Sequence, residues 1–87
     1  MQICKKDILV FLAELLEIDV ERVMEMGEND DLTEVGLSSI SYIHLVVWLE
    51  EKYDFCLKDD DLLIEKLNTL GKIYVVLDKY LGNVDYE

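Results

Sequence analysis

The chain contains no proline and only four glycines, so helices can run anywhere except near Gly27, Gly36, Gly71 and Gly82. Basic residues are scarce as well: eight Lys and Arg stand against twenty Asp and Glu, a net charge of −12. That shortage argues against nucleic acid as a partner, because binding phosphates requires clustered cations that displace counterions. The acids are densest between residues 7 and 34, where ten of them accompany only Arg22. Basic protein surfaces are their natural complement, and part of the charge simply keeps a small chain in solution. The two cysteines, Cys4 and Cys56, lack metal-site or CxxC spacing, which argues against a zinc site or a redox pair. Free thiols are expected, with one structural disulfide as the alternative.

Long apolar runs are also missing. The run Ile8 to Ala13 follows Lys5 and Lys6 in the charge order of a signal peptide, but Glu14 and Glu17 interrupt it and no small-x-small cleavage site follows. No stretch reaches the ~20 apolar residues that span a bilayer. The reading is an amphipathic first helix of a cytoplasmic protein with no membrane span. With 87 residues the chain has room for one domain, 1–87. A chain of that size buries only roughly 60–65% of its unfolded surface and has no volume for a deep catalytic cavity.

What is present reads as helix. Ile8, Phe11, Leu12 and Leu15 recur at i, i+3, i+4 and i+7 and predict a first helix over residues 5–17. Residues 18–38 form a long polar connection with a possible helical turn at 19–24, and connections of that length in small domains are usually functional or mobile. Its end, Leu32 to Leu37, is apolar enough to dock on the bundle. A second helix over 39–53 has Tyr42, Leu45, Val46, Leu49 and Tyr53 on its core face. The same helix carries an outer apolar stripe, Ile40, Ile43 and Val47, flanked by His44, Trp48 and Glu51. Asp59, Asp60 and Asp61 suit the positive end of a short third helix over 62–67. Thr69 is an N-cap for a last helix with Leu70, Ile73, Leu77 and Leu81 inside, ending at Gly82 and a polar tail, Asn83 to Glu87. Strands are not favoured anywhere. The expected fold is all-α: a small four-helix bundle, three helices longer and the third short.

Functional chemistry concentrates at Asp31-Leu32-Thr33-Glu34-Val35-Gly36-Leu37-Ser38-Ser39-Ile40, which sets a serine at a helix start just after a glycine turn. Ser38 or Ser39 caps that helix. A phosphate ester on the Ser39 hydroxyl would meet the positive end of the helix dipole, worth ~0.3–1 kcal/mol at an exposed site. A hydrolase reading fails on spacing, since Ser39 and His44 diverge by ~140° around the helix. Nor does a second glycine complete a G-x-S-x-G elbow around Ser38. The acidic runs at 28–31 and 59–61 do not match a calcium loop, so no metal is expected.

The order leucine, acid, aliphatic, glycine, two residues, serine and aliphatic, followed by a helix ending Leu49-Glu50-Glu51-Lys52-Tyr53, resembles acyl and peptidyl carrier proteins. So do the run Asp59-Asp60-Asp61 and the segment Asn68-Thr69-Leu70. The resemblance implies that Ser39 takes covalent 4′-phosphopantetheine from coenzyme A, and that the arm's thiol carries an acyl or aminoacyl thioester. It implies a discrete, non-catalytic carrier served by a phosphopantetheinyl transferase, an adenylating or acyl-loading enzyme and a downstream condensing or transferring enzyme. Two positions depart mildly from the family: Ser38 stands where Asp is frequent, and Ile40 where Leu is. A third departure is larger, because residues 39–49 contain no acid. Docking then leans on apolar contact, with Ile40, His44, Val47, Trp48 and Glu51 as partner-binding residues and Ile43 packing internally. This favours a nonribosomal-peptide or polyketide type pathway over fatty-acid or D-alanyl transfer. A monomer is expected, although the outer stripe could support a weak dimer. The rival reading is an unmodified helical interaction module.

Overall fold

The computed structural model describes residues 2–82 and 84–86. Four α-helices carry the fold: α1 (Lys5–Leu16), α2 (Val20–Glu25), α3 (Ser39–Tyr53) and α4 (Leu70–Leu81). Two short strands, β1 (Gln2–Ile3) and β2 (Asp85–Tyr86), pair in parallel and join the two ends of the described chain. The core is apolar and shared by all three long helices: Ile8 and Leu12 of α1, Leu45 and Leu49 of α3, and Ile73 and Leu77 of α4 are fully enclosed. These are the positions selected by helical periodicity. Tyr42, Val46 and Tyr53 complete the buried face of α3.

The all-α class holds, but the short helix is not the third. It is α2, whose Val23 is fully buried, while residues 59–67 form two 3-10 turns, Asp59–Asp61 and Ile64–Lys66, separated by an extended Leu63. The physical reason lies in Asp61. Instead of staying in solvent, its buried carboxylate accepts from Lys79 Nζ at 2.8 Å and from the Tyr80 hydroxyl at 2.6 Å. Tyr80 in turn accepts from the Lys58 backbone N–H at 3.0 Å. These bonds pull the chain against α4 and leave only i→i+3 closures, such as Asp61 N–H to Lys58 and Lys66 N–H to Leu63.

The strand pair corrects the expectation of no strands. Two residues carry no periodicity to read, and tertiary contacts make this pairing. The Tyr86 hydroxyl donates to the Tyr74 carbonyl at 2.9 Å, the Tyr86 and Tyr74 rings pack 5.0 Å apart, and the Lys5 ammonium lies over both. Of the polar tail, Asn83 and Glu87 lie outside the described residues.

The connection between α1 and α3 is held down rather than loose. Leu32 and Leu37 are buried, the Leu32 N–H donates to the Asn68 carbonyl at 2.8 Å, and the Gly71 N–H donates to the Glu28 carbonyl at 2.9 Å. Gly71 suits this close approach, since a Cβ would lie a tight 3.0 Å from that same carbonyl oxygen. Cys4 and Cys56 are free thiols. Among the described residues no helix is long and apolar enough to cross a membrane.

Candidate functional site

The approach to α3 is built in three steps. Asp31 accepts from the Thr33 N–H and hydroxyl, which holds its carboxyl below the usual range and starts a 3-10 turn over Leu32–Val35. Gly36 closes that turn at φ 110°, a left-handed conformation that residues with a Cβ rarely adopt. Leu37 then plugs into the core and leaves Ser38 in extended conformation as the N-cap.

The choice between Ser38 and Ser39 as cap is therefore decided by backbone geometry. The Ser38 hydroxyl accepts from the Ser41 N–H at 3.2 Å, the Ser38 N–H donates to the Ser41 hydroxyl at 2.9 Å, and the two hydroxyls lie 2.8 Å apart. This reciprocal arrangement satisfies the helix start without help from Ser39. Ser39 is the first helical residue and is exposed, and among the described residues its hydroxyl makes no hydrogen bond. No acid occupies the first turn of α3. A phosphate ester on that oxygen would meet free N–H groups and the positive dipole end without local repulsion. These residues fit a covalently attached phosphopantetheine, which supplies a thiol for thioester chemistry when bound.

The outer face of α3 divides into two parts. Near Ser39, Ile40 and Ile43 stand in solvent at 72% and 59% exposure. Internal packing of Ile43 was the expectation, and Ile43 instead stays mostly in solvent: the 59–67 segment sends Leu67 into the core and leaves Leu62 and Leu63 exposed. Farther along, His44, Val47, Trp48 and Glu51 come together with Phe11 and Ile43 around a shallow groove of about 380 Å³. Val47 is 45% exposed. Trp48 is partly used by the fold itself, lying flat on Phe11 with centroids 4.3 Å apart and edge-on to Tyr53 at 6.1 Å. Phe11 was read as a core residue of α1; its role in this groove depends on a contact between helices that neither helix's own pattern reveals.

No solved structure matches the chain. The family model for the phosphopantetheine attachment site matches residues 6–74, a stretch that begins in α1 and ends in α4. Domains of this family are carriers that work with a phosphopantetheinyl transferase and with partner enzymes, and are generally non-catalytic themselves. The match covers well over half of the chain, and this protein belongs to the phosphopantetheine attachment family as a carrier protein bearing covalent 4′-phosphopantetheine.

Proposed function

We propose that Ser39 is the attachment residue, within a single carrier domain that presents an acyl or aminoacyl thioester in a nonribosomal-peptide or polyketide type pathway. The observation that carries this reading is the Ser38–Ser41 capping box, which leaves the adjacent Ser39 hydroxyl exposed and unengaged at the helix start. In the modification, Ser39 Oγ forms a bond to the phosphorus bearing the pantetheine of coenzyme A. The pyrophosphate bond breaks, 3′,5′-adenosine bisphosphate leaves, and the hydroxyl proton goes to solvent or a base of the transferase. The chain's own residues then tether and present the arm, which raises the thioester's effective concentration at each partner.

Pathway type is supported by the absence of Asp and Glu from residues 39–49 of α3. Ile40, His44, Val47, Trp48 and Glu51 form the docking surface for an adenylating or acyl-loading enzyme and a downstream condensing or transferring enzyme. The apolar groove beside Trp48 and the exposed Ile40 suit partners recognised by shape. The protein acts as a cytoplasmic monomer and performs no catalysis.

Intact mass after incubation with coenzyme A and a broad-specificity transferase tests the assignment. The wild type should gain one phosphopantetheine and Ser39→Ala none. No gain with several transferases would sink it and leave a helical interaction module.

A further inference from the structure

Helices α1 and α3 run antiparallel where they meet. Asp7 pairs with Lys52 at 3.7 Å, and one turn on along α1 and one turn back along α3, Phe11 lies flat on Trp48 with ring planes 7° apart. That stack stands between two hollows. One, of about 270 Å³, is polar and holds the Asp7–Lys52 pair together with Lys6 and Glu14. The other is the groove of about 380 Å³, lined by apolar Ile43 and Val47 and by polar His44 and Glu51. Its shape is set before anything enters, because Trp48 is held flat by Phe11 and edge-on by Tyr53. Little side-chain freedom is left to lose on binding.

Charge indicates the occupant. Glu51 is exposed, and the two ion pairs among the described residues use Asp7 and Asp61 instead. Its neighbour Glu50 is engaged by the Leu57 N–H at 2.8 Å. No Lys or Arg lines the groove. On a chain of net charge −12, a surface seated here gains from a cation opposite Glu51. Val47 and Glu51 are one turn apart on α3, so the matching apolar group and cation belong about one turn apart on the partner. A second copy of this chain fits badly. Its α4 offers Val75 between Lys72 and Lys79, but Lys72 is already bonded to the Glu65 carbonyl and Asn68, and Lys79 to Asp61.

We propose that the groove between α1 and α3 is a specificity pocket for a partner enzyme: it receives one bulky apolar side chain of that enzyme, carried about one helical turn from a Lys or Arg that pairs with Glu51. Phe11 is the positioning residue that fixes Trp48 for this contact. The inference rests on α3 being the docking surface and adds α1 to it. Val47 lies eight residues from Ser39, about 12 Å along the helix, so an enzyme seated here leaves the attachment residue accessible.

Trp48 is the single tryptophan, and its fluorescence reports on the groove directly. The probe is an alanine-based helical peptide bearing one leucine and, four residues later, one arginine. It is titrated into the full chain loaded with phosphopantetheine, with loading verified by intact mass. Wild type should show a saturable change in Trp48 emission below about 1 mM peptide. Val47→Glu, at an exposed site, should abolish the change, and Val75→Glu on α4 should leave it intact. Glu51→Lys should weaken binding about two- to five-fold, the range of one exposed charge pair, and a peptide with glutamate in place of arginine should recover it. Phe11→Leu should lower Trp48 anisotropy in the free protein and weaken binding, whereas Phe11→Tyr, which keeps a flat ring, should preserve both. No saturable response in wild type, or one that Val47→Glu and Glu51→Lys leave unaltered, overturns the proposal. A Trp48 change that follows the chain's own concentration without peptide also overturns it and assigns the groove to a second copy. Absence of any mass gain overturns the Ser39 assignment and this inference together, whereas full loading without binding in the groove overturns this inference alone.

Discussion

The Ser39 and Tyr53 ends of α3 are held by different means. At the Ser39 end the helix closes its own start with the Ser38–Ser41 pair, and its outward residues Ile40 and Ile43 stand mostly in solvent. At the Tyr53 end, α1 lays Phe11 on Trp48, Trp48 meets Tyr53 edge-on, and the nearby terminal strands are held by the tyrosine pair beneath Lys5. The first end is stabilised locally and remains free on its outer side. The second depends on contacts between elements distant in sequence. A carrier needs both, because the modified residue must be reached by several enzymes while the helix that bears it stays fixed.

Alkaline titration should break the Tyr53 end first. Burial, then Asp7, pushes the Tyr53 phenol from its ordinary 10.0 up to about 12. A group whose pKa is raised by folding contributes stability that is complete below the unfolded value and is lost as pH rises through the folded one. Between pH 10 and 12 wild type should therefore lose about 2–3 kcal/mol through this residue. Urea unfolding at stepped pH should give a flatter profile for Tyr53→Phe, and identical profiles would mean that Tyr53 is not the group being titrated. A smaller effect is expected at the other end, where Ser38→Ala removes the cap and should reduce stability by about 1 kcal/mol in denaturant unfolding. Phosphopantetheine transfer to Ser39 should persist in that variant, since its hydroxyl takes no part in the cap. The smallest change in stability belongs to Ile40→Ser and Ile43→Ser, within about 0.5 kcal/mol. These same variants should slow modification or partner loading several-fold, measured as initial rates, if the free side of α3 is where partners sit.

Much of this could be read directly from residue order. Helices α1, α3 and α4 announce themselves because each buries a stripe at helical spacing, and the glycine turn before Ser39 follows from a residue with no Cβ penalty. Other features were hidden. The segment 59–67 has the acids and leucines of a short helix, yet the pull of Lys79 and Tyr80 on Asp61 makes it two 3-10 turns. The helix α2 is too short to be stable from its own propensity and exists because Val23 is buried. Ile43 was expected to pack against the short third helix or the acidic loop, and it stays 59% exposed.

Sequence alone determined the helical class, the three long helices and the serine at the start of the second of them, since those depend on periodicity and on turn chemistry between neighbours. Only the tertiary structure decided which serine caps, which apolar residues remain in solvent and how the strands Gln2–Ile3 and Asp85–Tyr86 meet. The capping serine depends on the backbone conformation set by docking Leu37 in the core, and the others depend on which elements meet across the bundle, which sequence spacing does not encode.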